Sequence, residues 1–360
     1  MPSHPPERDT YEGTQWDLDT LALGDELGYS EAWIGEHFTA PWEPLPTPDL
    51  LIAQALLRTK RIKLGTGTHL LPFHNPVELA HRVAYLDHLA QGRFMFGIGA
   101  GGLLSDMELF GVDFDAGDSR AMTREALEII LTIWREEGPF EYKGKFWTVN
   151  IPDPKEYEYG QLRRFLTPFQ KPHPPIGVAG ASPGSETLKL AGENGYIPMS
   201  LGLNAVYLGS HWDVVEEGAD SAGRPQPSRS DWRIVRDVWV ADTDSEAREG
   251  ALNGMLGRIW KEYLIPLFNY GPYPLIAAMK HDQSIPDGDV TIEYMADRLW
   301  LIGSPDTVAQ KIRDLYGSAG GFGTLLTMTH DHLENRAASE ESMRLLAEEV
   351  MPQVADLTGK

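Results

Sequence analysis

Residues 61–102 read RIKLGTGTHLLPFHNPVELAHRVAYLDHLAQGRFMFGIGAGG. The run 61–68 is short, β-rich and ends in alternating Gly and Thr. The run 76–89 opens with Asn75-Pro76, a cap and a first-turn proline, and carries apolar residues at helical spacing. The run 93–98 is apolar again. Strand, helix and strand over about forty residues make a βαβ unit, and its two strands must be parallel.

The same alternation continues outward in both directions. Residues 30–37 (SEAWIGEH) read as a strand entering a loop, and 50–58 as a helix. Residues 120–136 form a strong helix, with Ile129, Ile130, Ile133 and Trp134 on one face. Strands follow at 175–179, 197–201, 234–241 and 323–328. Ser182-Pro183 and Ser304-Pro305 read as cap and first-turn pairs opening helices, and a terminal helix starts near Ala338. The rhythm persists without a composition break, so a single domain over 1–360 is expected. The fold class is α/β, a (β/α)8 TIM-type barrel. Two stretches interrupt it, near 142–173 and 263–289. The second carries Pro266, Pro272, Pro274 and Pro286. Insertions of this kind are either substrate walls and lids or surface decoration.

Composition narrows the function. The chain has 360 residues, 31 Lys and Arg against 53 Asp and Glu, and a net charge of −22. Such a surface repels nucleic acid and anionic membranes, and neither is expected as a partner. There is no cysteine, which removes disulfides, thiolate nucleophiles and thiolate metal sites. No apolar run is long enough for a membrane span, and the N-terminus MPSHPPERDTYEGTQ lacks the apolar core of a signal peptide. A cytoplasmic protein is expected.

The candidate chemistry sits at strand ends, which in a barrel face the active site. Glu36-His37-Phe38-Thr39 places a carboxylate and an imidazole there, and a histidine can move a proton near neutral pH. A packed structural histidine is the plainer reading. Gly65-Thr66-Gly67-Thr68-His69 lets a flat ligand approach backbone, or is simply a tight bend. Gly97-Ile98-Gly99-Ala100-Gly101-Gly102 matches G-x-G-x-x-G. A broken acidic loop follows instead of the long helix a dinucleotide site needs. The start 182–185 (SPGS) offers free N–H groups, hydroxyls and a positive dipole end, as any capped helix does in part. His74, Glu78, His81 and His88 lack metal-ligand spacing, so no metal is expected. No G-x-S-x-G elbow supports a hydrolase. Converging at one barrel mouth, these loops would suit a mononucleotide cofactor with a planar ring.

WIGEHFT (33–39), the stretch 64–102, SRAMTREALEIILTIW (119–134), VAGASPGSETLKLAGENGY (178–196), VWVADTDSEARE (238–249) and GSPDTVAQKIRDLYGSAGGFGTLLTM (303–328) together resemble the bacterial-luciferase-like flavin-dependent monooxygenases over nearly the whole chain. HPPER (4–8) and GGFGTLLTMTHDH (320–332) resemble its limonene and alkanal monooxygenase-like branch. The resemblance implies a two-component enzyme. Reduced FMN, supplied by a separate NAD(P)H:flavin reductase, would react with O2 to a flavin hydroperoxide. That species would oxygenate a hydrophobic small molecule such as a terpene, ketone or aldehyde. A homodimer is implied by the same likeness. His37 matches the catalytic histidine. Glu36, Thr66, Gly67, Thr68, Gly99, Ala100, Gly101, Gly180, Ser182, Gly184 and Ser185 match the cofactor-binding positions, where the family can carry a cis peptide beside the ring. Phe38, Trp42, His69 and Leu71 are expected to line the substrate pocket.

Two departures stand out. Where the luciferases carry an arginine for the phosphate, this chain has Ala100, so the phosphate must lean on Ser182, Ser185, backbone N–H groups or another arginine. The usual first strand should precede HPPER, but the sequence begins Met1-Pro2-Ser3, so that strand is expected to be missing or truncated. Two other readings remain: a deazaflavin-dependent hydride-transfer oxidoreductase of the same superfamily, or a non-catalytic flavin-binding or partner subunit.

Overall fold

Parallel pairing runs through the barrel sheet of the computed structural model, which describes residues 2–162, 166–182, 184–202, 204–270 and 275–357. Its strands are β1 (Pro2–Ser3), β2 (Glu31–Ile34), β3 (Lys63–Thr66), β4 (Phe94–Gly99), β5 (Ile176–Gly180), β6 (Ile197–Ser200), β7 (Arg233–Arg236) and β8 (Thr324–Thr327). From β2 to β8 each strand pairs with the next, including β7 with β8 across the long connection between them. β1 pairs with Thr329–His330, just beyond β8. The sheet is thus nearly closed into the expected TIM-type barrel, and a first strand is present at Pro2–Ser3.

The helices form as their patterns dictate. Asn75 accepts N–H bonds from Val77 and Glu78 and starts the helix Pro76–Ala90. In Asp118–Arg135, Leu127, Ile130 and Trp134 recur along the buried face together with Ile129 and Ile133. The indole of Trp134 donates to the Ala80 carbonyl at 2.9 Å, locking this helix to its neighbour. Long-chain apolar residues of both layers fill two large core clusters, one beside β2 to β5 and one beside β7 and the C-terminal helices. No helix among the described residues is long and apolar enough to cross a membrane.

Several expectations change in detail. The single strand expected at 234–241 is two. β7 belongs to the barrel, whereas Val238–Val240 pairs with Leu301–Gly303. The break falls at Asp237, whose buried carboxylate accepts bonds from Trp260 Nε1 at 3.1 Å and His330 Nε2 at 2.9 Å. Ser304 precedes the helix Pro305–Ala319 as expected, but its hydroxyl donates to Asp244 instead of capping. The helix expected from Ser182-Pro183 starts later, as Glu186–Asn194 with Ser185 at the cap position; Pro183 lies outside the described residues, as do Pro272 and Pro274. The 142–173 stretch holds two antiparallel hairpins, Phe140–Lys143 with Thr148–Ile151 and Lys155–Tyr157 with Gly160–Leu162. Neither lines the barrel cavity. The 263–289 stretch does reach it, through Leu275.

Closure at β1 depends on one imidazole. His4 Nδ1 lies 3.0 Å from Asp331 and Nε2 3.1 Å from Asp17, so the ring bridges the first helix (Thr10–Leu27) and the segment after β8. Arg8 adds a 2.9 Å bond to the same Asp331 oxygen. A ring with carboxylates on both nitrogens is held as the imidazolium. Burial lowers the His4 pKa, but the two carboxylates outweigh it and raise it to about 9. A raised folded pKa stabilises fully below the unfolded value of 6.5, and that stability is lost as pH rises through about 9. Denaturant unfolding on either side of this window should show a loss on the order of 3 kcal/mol. His4→Gln should flatten that dependence; an unchanged profile would remove the imidazolium from the account.

Candidate active site

A cavity of about 400 Å³ opens at the strand ends and runs into the barrel. Trp33 stands inside it, and the barrel makes room for the indole with glycine. A Cβ at Gly65 or Gly177 would sit 2.6 or 2.8 Å from the Trp33 ring. Above this floor the wall is backbone and small residues: Gly67, Thr68, Gly99, Ala100, Gly101 and Gly180 all face the cavity. The Gly67–Thr68 peptide is cis. Gly101 has φ +84°, a conformation that requires glycine in practice.

Just past β2, Glu36 and His37 line the cavity and are held by different networks. The Glu36 carboxylate is 1% exposed. It accepts from His69 Nδ1 at 2.8 Å, His74 Nε2 at 2.6 Å and the Leu70 N–H at 3.1 Å. Burial pushes its pKa up, yet the two imidazoles prevail and hold it at about 2. Arg82 lies 3.3 Å from His74 Nδ1. That nitrogen accepts, so Nε2 carries the proton given to Glu36. Glu36, His69 and His74 are close enough together to resemble a metal-ligand set. Glu36 bonds both imidazoles directly, while the buried His69 Nε2 has no hydrogen-bond partner among the described residues. In the helix Pro76–Ala90, two further histidines give their N–H groups to carbonyls, His81 to Val77 and His88 to Thr167.

His37 lies between two carboxylates, with Nδ1 3.3 Å from Asp106 and Nε2 3.6 Å from Glu43. Burial lowers its pKa, but Glu43 and Asp106 together raise it. Nε2 is beyond hydrogen-bond distance of Glu43, so it is the loosely held nitrogen. Asp106 comes from the short helix Leu104–Phe110 over the mouth, and its other oxygen accepts the N–H groups of Phe38 and Thr39 at 3.2 and 2.8 Å. Tyr263, from the second insertion, donates to Glu43 at 3.0 Å and stacks on Trp42.

Ser182, Ser185, Thr187, Ser119 and Arg120 also lie on the cavity wall. Arg120 is the one Arg or Lys among the described lining residues. It sits in the first turn of Asp118–Arg135, one turn before Arg124, which pairs with Glu193 of the helix Glu186–Asn194 at 2.7 Å. The starts of the helices Asp118–Arg135 and Glu186–Asn194 both contribute residues to the cavity wall.

Of the expected cofactor positions, Thr66 and Gly184 do not line the cavity. Thr66 is fully buried, bonded by its hydroxyl to both backbone groups of Gly97. The Gly184 N–H is directed at Ser210 Oγ. The expected substrate residues also lie elsewhere. His69 is committed to Glu36, Leu71 is in the core, Phe38 packs on Phe73 and Phe110, and Trp42 packs under Arg258. Leu70 takes the place expected of its neighbours. Sequence reasoning missed Arg120, Ser119, Asp106, Glu43 and Tyr263. The helix-start rule applied to Asp118–Arg135 would have found the first two; the others had no local signal.

Two outcomes follow from these networks. Glu36→Ala strands two imidazole N–H groups and one backbone N–H, and should cost roughly 3 kcal/mol in urea unfolding. Asp106→Asn removes one of the charges that raise the His37 pKa. The imidazole should therefore titrate at lower pH by NMR than in the wild type; an unmoved titration would contradict the pairing.

The residues fit FMN: flat backbone walls suit a ring, and hydroxyls, helix N-termini and a guanidinium suit a phosphate. Comparison with known proteins agrees. Residues 3–321 match the model of the luciferase-like monooxygenase family. The 3,6-diketocamphane 1,6-monooxygenase of Pseudomonas putida is 35% identical, over 97% of this chain and 95% of its own. The limonene 1,2-monooxygenase of Rhodococcus erythropolis is 32% identical, over 98% and 84%. Among solved structures, the oxygenating constituent of the P. putida 3,6-diketocamphane monooxygenase, a type II Baeyer–Villiger enzyme in complex with FMN, superposes with a TM-score of 0.90 at 34% identity, covering 98% and 96% of the two chains. With this fold, this site and these relatives, the chain belongs to the luciferase-like monooxygenase family.

Proposed function

We propose that this protein is the oxygenase component of a two-component system, taking reduced FMN from a separate reductase and oxygenating a compact apolar carbonyl compound of the terpenoid class. One observation carries the reading: a single cavity is lined both by His37, flanked by two carboxylates, and by a set of hydroxyls and helix starts with one guanidinium. Reduced FMN, when bound, supplies the electrons by which one atom of O2 enters the substrate and the other leaves as water. Ser182, Ser185, Thr187, Ser119 and Arg120 would hold its phosphate; Gly67, Thr68, Gly99, Ala100 and Gly180 would bound its ring. Gly184 and Thr66 serve this site indirectly, one through the loop's shape and one by tying β3 to β4.

His37 holds a proton at Nε2 on the cavity wall, with Asp106 orienting the ring and Glu43 balancing its charge. Met199, Leu201, Val235, Leu275 and Leu325 give an apolar lining that excludes water from that proton. Relatives named for camphane ketones and for limonene support a terpenoid substrate. Oxygen chemistry is favoured over deazaflavin hydride transfer because these relatives are monooxygenases. A second copy of this chain would dock on the exposed Leu50 and Leu57 of Pro48–Arg58 and Tyr85 and Leu89 of Pro76–Ala90, forming the homodimer. The absence of cysteine suits a reducing cytoplasm, where a diffusible reductase partner would operate.

Anaerobic titration should show reduced FMN binding more tightly than oxidised FMN, and product should form on adding O2 with a panel of terpenes, ketones and aldehydes. His37→Gln should lower product formation by roughly 100-fold while reduced-FMN affinity stays within about threefold. Turnover unchanged by that substitution would refute the role of His37, and absence of reduced-FMN binding would refute the cofactor. Arg120→Ala should weaken FMN by roughly tenfold or more, as loss of a charged hydrogen bond does.

A further inference from the structure

A buried chain of hydrogen bonds leads from Trp232 to the Ser182 carbonyl, beside the phosphate end of the cavity. Trp232 Nε1 donates to Ser200 Oγ at 2.8 Å. Ser200 Oγ lies 2.9 Å from His211 Nδ1, and His211 Nε2 lies 2.8 Å from the Ser182 carbonyl oxygen. Trp232 and His211 are 1% exposed or less, as is Ser200.

Two proton positions in this chain are forced. A carbonyl oxygen only accepts, so His211 Nε2 carries a hydrogen. An indole N–H only donates, so Ser200 accepts from Trp232, which leaves its own hydrogen for Nδ1. With that hydrogen given to Nδ1, His211 is the neutral Nε2–H tautomer. Burial pushes its pKa down, which agrees. The same helix, Ala205–Ser221, provides Ser210, whose oxygen receives the Gly184 N–H at 3.3 Å.

From this geometry we infer that His211 is a positioning residue for recognition of the cofactor's phosphate: it turns the Ser182 carbonyl into the protein, so that the loop presents donors rather than an acceptor to the anion. The inference rests on the reading of loop 182–185 as the phosphate end. A carbonyl dipole directed at a phosphate dianion repels it, whereas hydroxyls and helix N–H groups attract it. Without His211 the Ser182 peptide has no buried donor to hold its carbonyl back. The ring-binding walls of Gly67, Gly99 and Gly180 belong to other strands, so loss of the chain should reach the phosphate and spare the ring.

Comparison of FMN with riboflavin, which lacks only the phosphate, tests this. The wild-type protein should bind FMN at least tenfold more tightly than riboflavin. In His211→Phe, which keeps the ring volume but not the donor, FMN should weaken by roughly tenfold while riboflavin stays within about twofold. His211→Gln, whose amide N–H can reach the Ser182 oxygen, should restore most of the FMN preference. If His211→Phe fails to fold, the contrast between His211→Gln, retaining the preference, and Ser200→Ala, losing part of it, carries the same test. An FMN preference kept whole in His211→Phe, or a parallel weakening of both flavins, overturns the inference alone. Equal wild-type affinity for the two flavins overturns the phosphate reading of the loop and this inference with it.

Discussion

The buried Glu36 carboxylate organises the mouth of the barrel. A parallel ladder stops holding its strands together where the strands end, and the active site lies just past that point. Glu36 follows β2, and it accepts from His69 and the Leu70 N–H past β3 and from His74 ahead of the next helix. A buried carboxylate is costly unless it is fully bonded, so these partners must stay in place. The cis turn at Gly67–Thr68, the Leu70 wall and the neighbouring His37 all inherit their positions from that arrangement.

A second requirement is separation of charge along one cavity. His37 is flanked by Asp106 and Glu43, while Arg120 and two helix starts line other parts of the same cavity. Between them the wall is backbone, glycine and apolar side chains. An anionic cofactor with a flat ring is oriented by such a field without a charged group touching the ring. In the function proposed above, the cofactor brings the redox chemistry, and the chain contributes placement, dryness and the proton of His37. The polar chain from Trp232 to Ser182 belongs to the placement half of that division.

Much of this was legible beforehand. The periodic helix with Ile129, Ile130, Ile133 and Trp134 buried its apolar face as read, and Asn75-Pro76 capped as read. Cap logic was weaker where a hydroxyl had a rival partner: Ser304 bonds Asp244, and the helix after Ser182 begins only at Glu186. At 234–241 the apolar run was continuous, but the buried carboxylate of Asp237 ended one strand and began another. Among the site residues, adjacency misled. Phe38, His69 and Leu71 stand next to cavity residues in sequence, and side chains alternate in direction along a strand. Asp106 and Tyr263 reach His37 and Glu43 from 69 and 220 residues away, which no local pattern encodes.

The sequence by itself determined the alternation of parallel strands and helices, the glycine-rich strand ends and the presence of a histidine at one of them. These are local matters of periodicity, capping and side-chain size. Which of those residues face the cavity, that Arg120 joins them on its wall, and that Glu36 is anionic while His211 is neutral were settled by the tertiary structure alone. Such properties depend on what approaches each side chain through space, and in a barrel the neighbours that matter come from strands and helices distant in the chain.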